Sequence, residues 1–117
     1  MKNNSQAKKI KIIGGKKMIN NLRIQDLTAV KDARASFYGK AKLITKSNGI
    51  YLLSYDAIVA GKVGDDLILG RAWDCSLTTK RHIREFIWQM MGDELTTNEI
   101  KGKYLEDDYK LKELFYA

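Results

Sequence analysis

Ile50 to Gly92 reads IYLLSYDAIVAGKVGDDLILGRAWDCSLTTKRHIREFIWQMMG. The first half is apolar and rich in β-branched residues, with turn signals between its runs. The second half changes to a helical period behind a threonine start signal. The stretch therefore predicts a sheet followed by a helix packed on it, and the rest of the chain reads as attachments to that unit. Leu53 to Lys62 could continue the strand begun at Ile50, with a bulge or bend at Ser54-Tyr55-Asp56. Ala57 to Ala60 is nearly all apolar, which suits a central strand covered on both faces. Lys62 to Asp66 reads as a turn, and Leu67 to Leu69 as the next strand, extending as far as Trp73. Two adjacent acids, Asp65 and Asp66, lack the regular oxygen spacing of a calcium loop and read as a solvated turn.

The helix is expected over Thr79 to Met91, capped by Thr78 or Thr79, or by Ser76 if it starts early, and stopped by Gly92. Ile83, Phe86, Ile87 and Met90 fall on its buried stripe. Arg81, Arg84, Glu85 and Trp88 fall on the opposite face, where Trp88 either packs under the N-terminal helix or the C-terminal segment or stands free as a contact residue. Arginine and tryptophan dominate interface energetics, and tryptophan beside arginine also suits stacking on unpaired bases.

Upstream, Phe37 to Lys46 reads as a strand, with Ala41, Leu43 and Thr45 on one face and Lys42, Ile44 and Lys46 on the other. Ser47-Asn48-Gly49 then signals a hairpin, because Asn-Gly accepts the positive φ of a tight turn. A short helix is expected over Asp26 to Ala35. Downstream, Thr96 and Glu99 have capping-box spacing. A last helix over Leu105 to Tyr116 would dock through Leu111, Leu114 and Phe115, with Glu106, Asp107 and Asp108 in its first turn. The fold class expected is α+β: a three-stranded antiparallel meander against an amphipathic helix, with short flanking helices. Residues 1–17 read as a basic flexible arm and 18–117 as a single domain with its core at 37–92.

The charge is uneven. The chain of 117 residues carries a net +7. Lys2, Lys8, Lys9, Lys11, Lys16, Lys17 and Arg23 supply all of it, with no acid before Asp26. The remainder is balanced, and residues 93–117 are mildly acidic. Such a balance does not mimic nucleic acid. An arm of this kind can contact phosphates, adding salt-dependent affinity without sequence preference. A solubilising tail, or an arm for an acidic protein, has the same composition. Lys9 to Ile12 alternates like a short edge strand that Gly14-Gly15 ends. One cysteine, Cys75, precludes an internal disulfide and fits a reducing compartment. No stretch has the length of a membrane span, so a cytoplasmic location is expected.

No catalytic constellation emerges. Cys75 and His82 are the only cysteine and histidine, too few for a zinc site, and helix geometry does not force them together. Gly14-Gly15-Lys16-Lys17 lacks the spacing and the Ser or Thr of a phosphate loop. No cofactor or metal is expected, and the chain reads as a non-enzyme.

Three segments carry a resemblance: Phe37-Tyr38-Gly39-Lys40-Ala41, Leu53 to Ala60 (LSYDAIVA) and Ser76 to Phe86 (SLTTKRHIREF). In this order they resemble a group of small proteins encoded by phages and mobile elements of Gram-positive bacteria. That group shares an aromatic-Gly-Lys-Ala start, a Ser-Tyr-x-x-x-Val-Ala strand and a Thr-Thr-x-His-Ile-like helix opening. The resemblance spans about residues 37–90 and implies a genetic setting, with no catalytic residues. Many small phage proteins inhibit host defence, anti-CRISPR proteins among them. The function expected is thus a non-catalytic accessory protein that binds and inhibits a host nucleoprotein defence enzyme. The alternatives are a DNA- or RNA-binding protein using residues 1–25, and a structural homo-oligomer. The expected interface residues are Lys8, Lys9, Lys11, Lys16, Lys17 and Arg23 in the arm, with Arg81, Arg84 and Trp88 on the helix.

Overall fold

The computed structural model describes residues 11–13, 16–18, 22–30 and 37–117. Two strands, β1 (Lys11–Ile13) and β2 (Lys16–Met18), pair antiparallel as a separate two-stranded sheet. The main sheet has six strands in sequence order: β3 (Arg23–Asp26), β4 (Ala41–Lys46), β5 (Gly49–Ser54), β6 (Ala57–Val63), β7 (Asp66–Leu69) and β8 (Leu105–Glu106). Between β7 and β8 come α1 (Leu77–Met91) and α2 (Thr97–Lys103), and α3 (Asp108–Phe115) closes the chain. The fold is α+β, with antiparallel pairing except between β7 and β8. A parallel pair needs a long crossover, here supplied by α1 and α2.

The meander is longer than the three strands expected. Tyr55 and Asp56 reverse the chain instead of bending it, so β5 and β6 form a hairpin of their own. A bulge does occur, but at Leu52/Leu53, where the register shifts. Leu52 faces Ala60 and Leu53 faces Ile58, leaving Val59 as the extra residue. β6 is central and buried on both faces, as its unbroken apolar run predicts.

The helix expected over Asp26 to Ala35 does not start as expected. Asp26 ends a strand, and residues 27–29 are irregular. Residues 31–36 lie outside the described residues. Arg23 to Asp26 pairs residue by residue with Thr45 to Lys42. That pairing satisfies backbone groups a weakly periodic helix would serve less well. Lys42 Nζ meets Asp26 Oδ1 at 2.7 Å across it.

The sheet carries a core on each face. On one, Leu43, Leu52, Val59, Ala60 and Leu69 pack with Trp73, Ile100 and the α1 residues Ile83, Phe86 and Ile87. Each such side chain stabilises by roughly 1.5–3 kcal/mol on burial. The Trp73 indole N–H is directed to Glu106 Oε1 at 3.0 Å, so Glu106 serves β8 and not the helix start. On the other face, Ile44, Tyr51, Ile58 and Ile68 pack against Leu111, with Leu114 and Phe115 half-buried beside them. These are the three docking residues expected of the last helix. A Cβ on Gly61 would lie 2.7 Å from the Tyr51 ring and 2.8 Å from Leu111 Cδ1, so a bare backbone lets α3 seat. Asp107 caps α3 by accepting from Lys110 N at 3.0 Å.

The capping of α1 corrects one detail. Ser76, the alternative, is the N-cap, and its Oγ accepts from Thr79 N at 3.0 Å. Gly92 ends the helix in the left-handed conformation, as expected. The capping box of α2 is complete, with Thr96 and Glu99 each accepting from the other's backbone N–H. The hairpin after β4 turns on Ser47 and Asn48, with Gly49 already in β5. Gly49 has no positive φ. It is needed because a Cβ there would lie 2.7 Å from Lys62 O.

Candidate functional site

Two turns meet at one end of the sheet. Phe37 to Lys40 is closed by Lys40 N donating to Phe37 O at 2.7 Å. Its central residues, Tyr38 and Gly39, have φ of 51° and 74°. Positive φ at both central positions marks a type I′ turn, where Asn, Asp or Gly is preferred. The β5–β6 turn puts Tyr55 at φ 57°. The turns are joined by Tyr55 N donating to Lys40 O at 2.8 Å. A bulky residue in the left-handed region costs about 1–2 kcal/mol. Tyr38 does not recover that through burial, since it is 84% exposed; Tyr55 is 48% exposed.

Beneath the turns lies a buried polar network. Ser54 Oγ is 2.8 Å from His82 Nδ1 and 3.1 Å from Thr79 Oγ1. Thr79 Oγ1 in turn lies 3.1 Å from Ser76 Oγ and 3.7 Å from Cys75 Sγ. Phe37 meets the His82 ring in a T-shaped pair with centroids 4.6 Å apart, and Tyr55 lies 5.9 Å from it. Ser54, Thr79 and His82 are all buried. Burial, with Arg81 alongside, lowers the pKa of His82, so the ring is neutral at physiological pH. Its Nε2 is buried without a hydrogen-bond partner among the described residues.

A serine and a histidine at 2.8 Å can in principle form a nucleophile and base. That chemistry needs access for a substrate and a group to orient the second ring nitrogen. Here both side chains are enclosed, and among the described residues no carboxylate meets Nε2. Cys75 touches Thr79 instead of His82. The arrangement acts as an internal strut, fixing the start of α1 to the end of β5 and holding up both tyrosine turns. Phe37, Ser54, Tyr55, Thr79 and His82 come from the three segments that carry the sequence resemblance, so those segments converge at this end.

The outer face of α1 starts beside it. Leu77, Arg81 and Arg84 are exposed, and Lys80 and Trp88 are half-buried. Arg84 Nε donates to Leu95 O at 3.1 Å. Trp88 is thus neither a core residue nor fully outside. Glu85, expected on this face, is a correction: it is 3% exposed. Its Oε2 accepts from Val30 N at 3.1 Å and from Gln89 Nε2 at 2.6 Å. It ties α1 to the segment after β3, and the outer face is left basic and aromatic.

The other expected interface residues are scattered. Arg23 is exposed on edge strand β3. Lys11, Lys16 and Lys17 lie in the paired strands β1 and β2, and Lys8 and Lys9 are outside the described residues. Of the nine, Arg81, Arg84 and Trp88 share one helix face. Among the described residues no group of three or more His, Cys, Asp or Glu could hold a metal, and no helix is long and apolar enough to cross a membrane. Sequence reasoning missed Tyr38 and Tyr55. Neither is a turn-forming residue type, so the available signal was their place inside the resembling segments.

Residues 25–105 match a family of unknown function, DUF8033, and the chain belongs to that family. No curated protein and no solved structure matches it. The matched span contains the tyrosine turns, the buried network and all of α1.

Proposed function

We propose that this member of the family is a non-catalytic accessory protein of phage or mobile-element setting. It acts in the bacterial cytoplasm by binding, and thereby inhibiting, a nucleoprotein enzyme of host defence. The contact surface is the tyrosine end with the adjoining outer face of α1. One observation carries the choice of surface: Tyr38 sits at φ 51° and is 84% exposed. Backbone strain of this kind gathers at functional sites, and an exposed, positioned tyrosine is a common interface anchor. The resembling phage segments supply the setting, and the choice of a nucleoprotein enzyme follows from that setting.

The test is a pull-down from host lysate with the full chain and its Tyr38→Gly variant, with and without nuclease, at two salt concentrations. Glycine suits positive φ, so the variant keeps the turn and removes only the side chain. The expected result is a stoichiometric enzyme that survives high salt on the wild-type chain and is lost on the variant. Equal capture by both chains would reject this surface. A catch that vanishes with nuclease or salt in both would move the function to the lysine-rich arm.

A further inference from the structure

Two edges bound the main sheet, and only one is blunted. Strand β8 has two residues, too short an edge for another chain to pair with. Strand β3 has four residues, all exposed. It has no lysine, no proline and no bulge against β4, the devices that keep an edge from pairing. Among the described residues β3 pairs with β4 alone. Leu27 N donates to Ala41 O at 2.9 Å, which continues the β3–β4 register. Bonded and non-bonded residues alternate along an antiparallel ladder. Arg23, Gln25 and Leu27 therefore turn N–H and C=O to β4, and Ile24 and Asp26 turn theirs outward. The Ile24 side chain lies opposite Ile44, on the sheet face that α3 covers further along, yet it is 59% exposed. Outward backbone groups and an open apolar side chain thus coincide at one residue.

We infer that a second copy of this chain occupies this edge, its β3 antiparallel to the first about a two-fold axis at Ile24. The strand begins in a cation and ends in an anion. Antiparallel copies bring each Arg23 toward the other's Asp26, whereas parallel copies would align like charges. Opposed side chains share a face of the sheet, so one residue must lie on the axis opposite itself. Centred on Arg23 or Asp26, the pair sets like charges face to face, which is destabilising. Centred on Gln25, it puts Ile24 opposite an Asp26 carboxylate already engaged with Lys42. Centred on Ile24, it packs the isoleucine on its own counterpart, exchanges both backbone bonds there, and places Arg23 opposite Gln25. A foreign strand could use the same backbone groups, but the charges and the apolar residue of this edge are complementary to themselves. The contact uses none of the side chains of the binding surface proposed above and goes beyond that reading.

Analytical ultracentrifugation of the full chain over a range of concentrations tests this. The wild-type chain is expected to reach twice the mass of one chain. Ile24→Pro removes the outward N–H at the axis and costs β4 no bond. Ile24→Lys sets two cations face to face at an already exposed position. Both should weaken the dimer by more than about tenfold and leave the circular dichroism spectrum unchanged. Tyr38→Gly should dimerise as wild type. A short bismaleimide reads the register in a Cys75→Ser background. Ile24→Cys, with about 5.5 Å between its Cα and that of its counterpart, should cross-link. Leu22→Cys, about 14 Å from its own, should lag far behind. A wild-type chain that stays monomeric at its solubility limit overturns the inference, and so does an Ile24→Lys chain that dimerises like wild type. Equal cross-linking at both positions rejects the pairing on Ile24. If wild type is monomeric and Ile24→Lys loses a captured host protein, the second copy fails and the edge belongs to a partner's strand.

Discussion

The two ends of the main sheet spend their side chains differently. At the end formed by the β4–β5 turn, polar groups are used inside the protein. Asn48 Nδ2 donates to Leu114 O at 2.7 Å, and Tyr51 OH donates to Asn48 Oδ1 at 2.9 Å. Lys46 Nζ donates to Phe115 O and lies over the Phe115 ring, 4.9 Å from its centroid. The turn thus caps α3 and closes the second core. At the opposite end, Tyr38 and Tyr55 carry left-handed backbone and direct large rings outward. One end is built to hold the chain together. The other has stable supports under an unstable-looking surface, which is the expected pattern where a surface is held for another molecule.

Breaking the closed end should cost the most. Leu111→Ala removes the only fully buried side chain of α3, between Tyr51, Ile58 and Ile68. The expected loss is about 2–5 kcal/mol, read as a lower denaturant midpoint. Asn48→Ala should follow at about 1–3 kcal/mol. It strands the hydroxyl of Tyr51, whose ring is 0% exposed, and releases the C-terminus of α3. Tyr51→Phe in the same background tests the pair. Its added effect should be smaller than in wild type, because the hydroxyl has already lost its partner. Neither closed-end substitution is expected to change partner capture under conditions where the variant remains folded.

Much of the closed end was legible in the chain. The apolar run of β6 and the α1 stripe named buried residues, with Met90 only half-buried, and the alternation of β4 sorted its side chains onto two faces, because periodicity reports which side chains point together. Leu111, Leu114 and Phe115 were readable for the same reason. What escaped was set by partners distant in sequence. Arg23 to Asp26 has one apolar residue, Ile24, is exposed throughout, and became a strand only because β4 offered an edge. Leu105 and Glu106 joined β7 in parallel after a crossover that no local pattern encodes. Glu85 has the helical phase of a surface residue and is buried by Val30 N, 55 positions away. The tyrosine end was the least legible part. A turn is recognised by Gly, Asn or Asp, and Tyr55-Asp56 puts tyrosine in the position that needs positive φ. The same mismatch that hid the turn is what distinguishes the site.

Acid should loosen the strut under the tyrosines. Burial and then Arg81 lower the pKa of His82 below its ordinary 6.5. The unfolded chain therefore takes up the proton first as pH falls. The stability due to neutral His82 is fully present above about pH 6.5. It declines as pH falls below that, by up to about 1.4 kcal/mol per unit until the folded protein is protonated as well. Denaturant midpoints taken between about pH 5.5 and 7.5 should show this slope, and His82→Gln should flatten it. A slope that persists unchanged in the variant would remove His82 as its source. Loss of structure should reach the Phe37–Lys40 turn before α3, a sequence that amide exchange can follow.

The smallest effect has the most informative sign. Tyr38→Gly relieves about 1–2 kcal/mol of left-handed strain and gives back about 0.5–1 kcal/mol through the more flexible unfolded chain. Little packing is lost, because the ring is 84% exposed. The net expectation is a gain of about 0.5–1 kcal/mol, the reverse of every substitution at the closed end. Tyr55→Gly starts from the same strain but removes a half-exposed ring that lies 5.9 Å from His82. Its gain should be smaller or absent. Chemical denaturation of the two variants separates strain from packing at adjoining turns. Greater stability in Tyr38→Gly, together with weaker partner capture, would mean that this tyrosine is kept at the expense of the fold. Lower stability would mean that the ring makes a supporting contact, and the contrast between the two ends would then rest on Tyr55 alone.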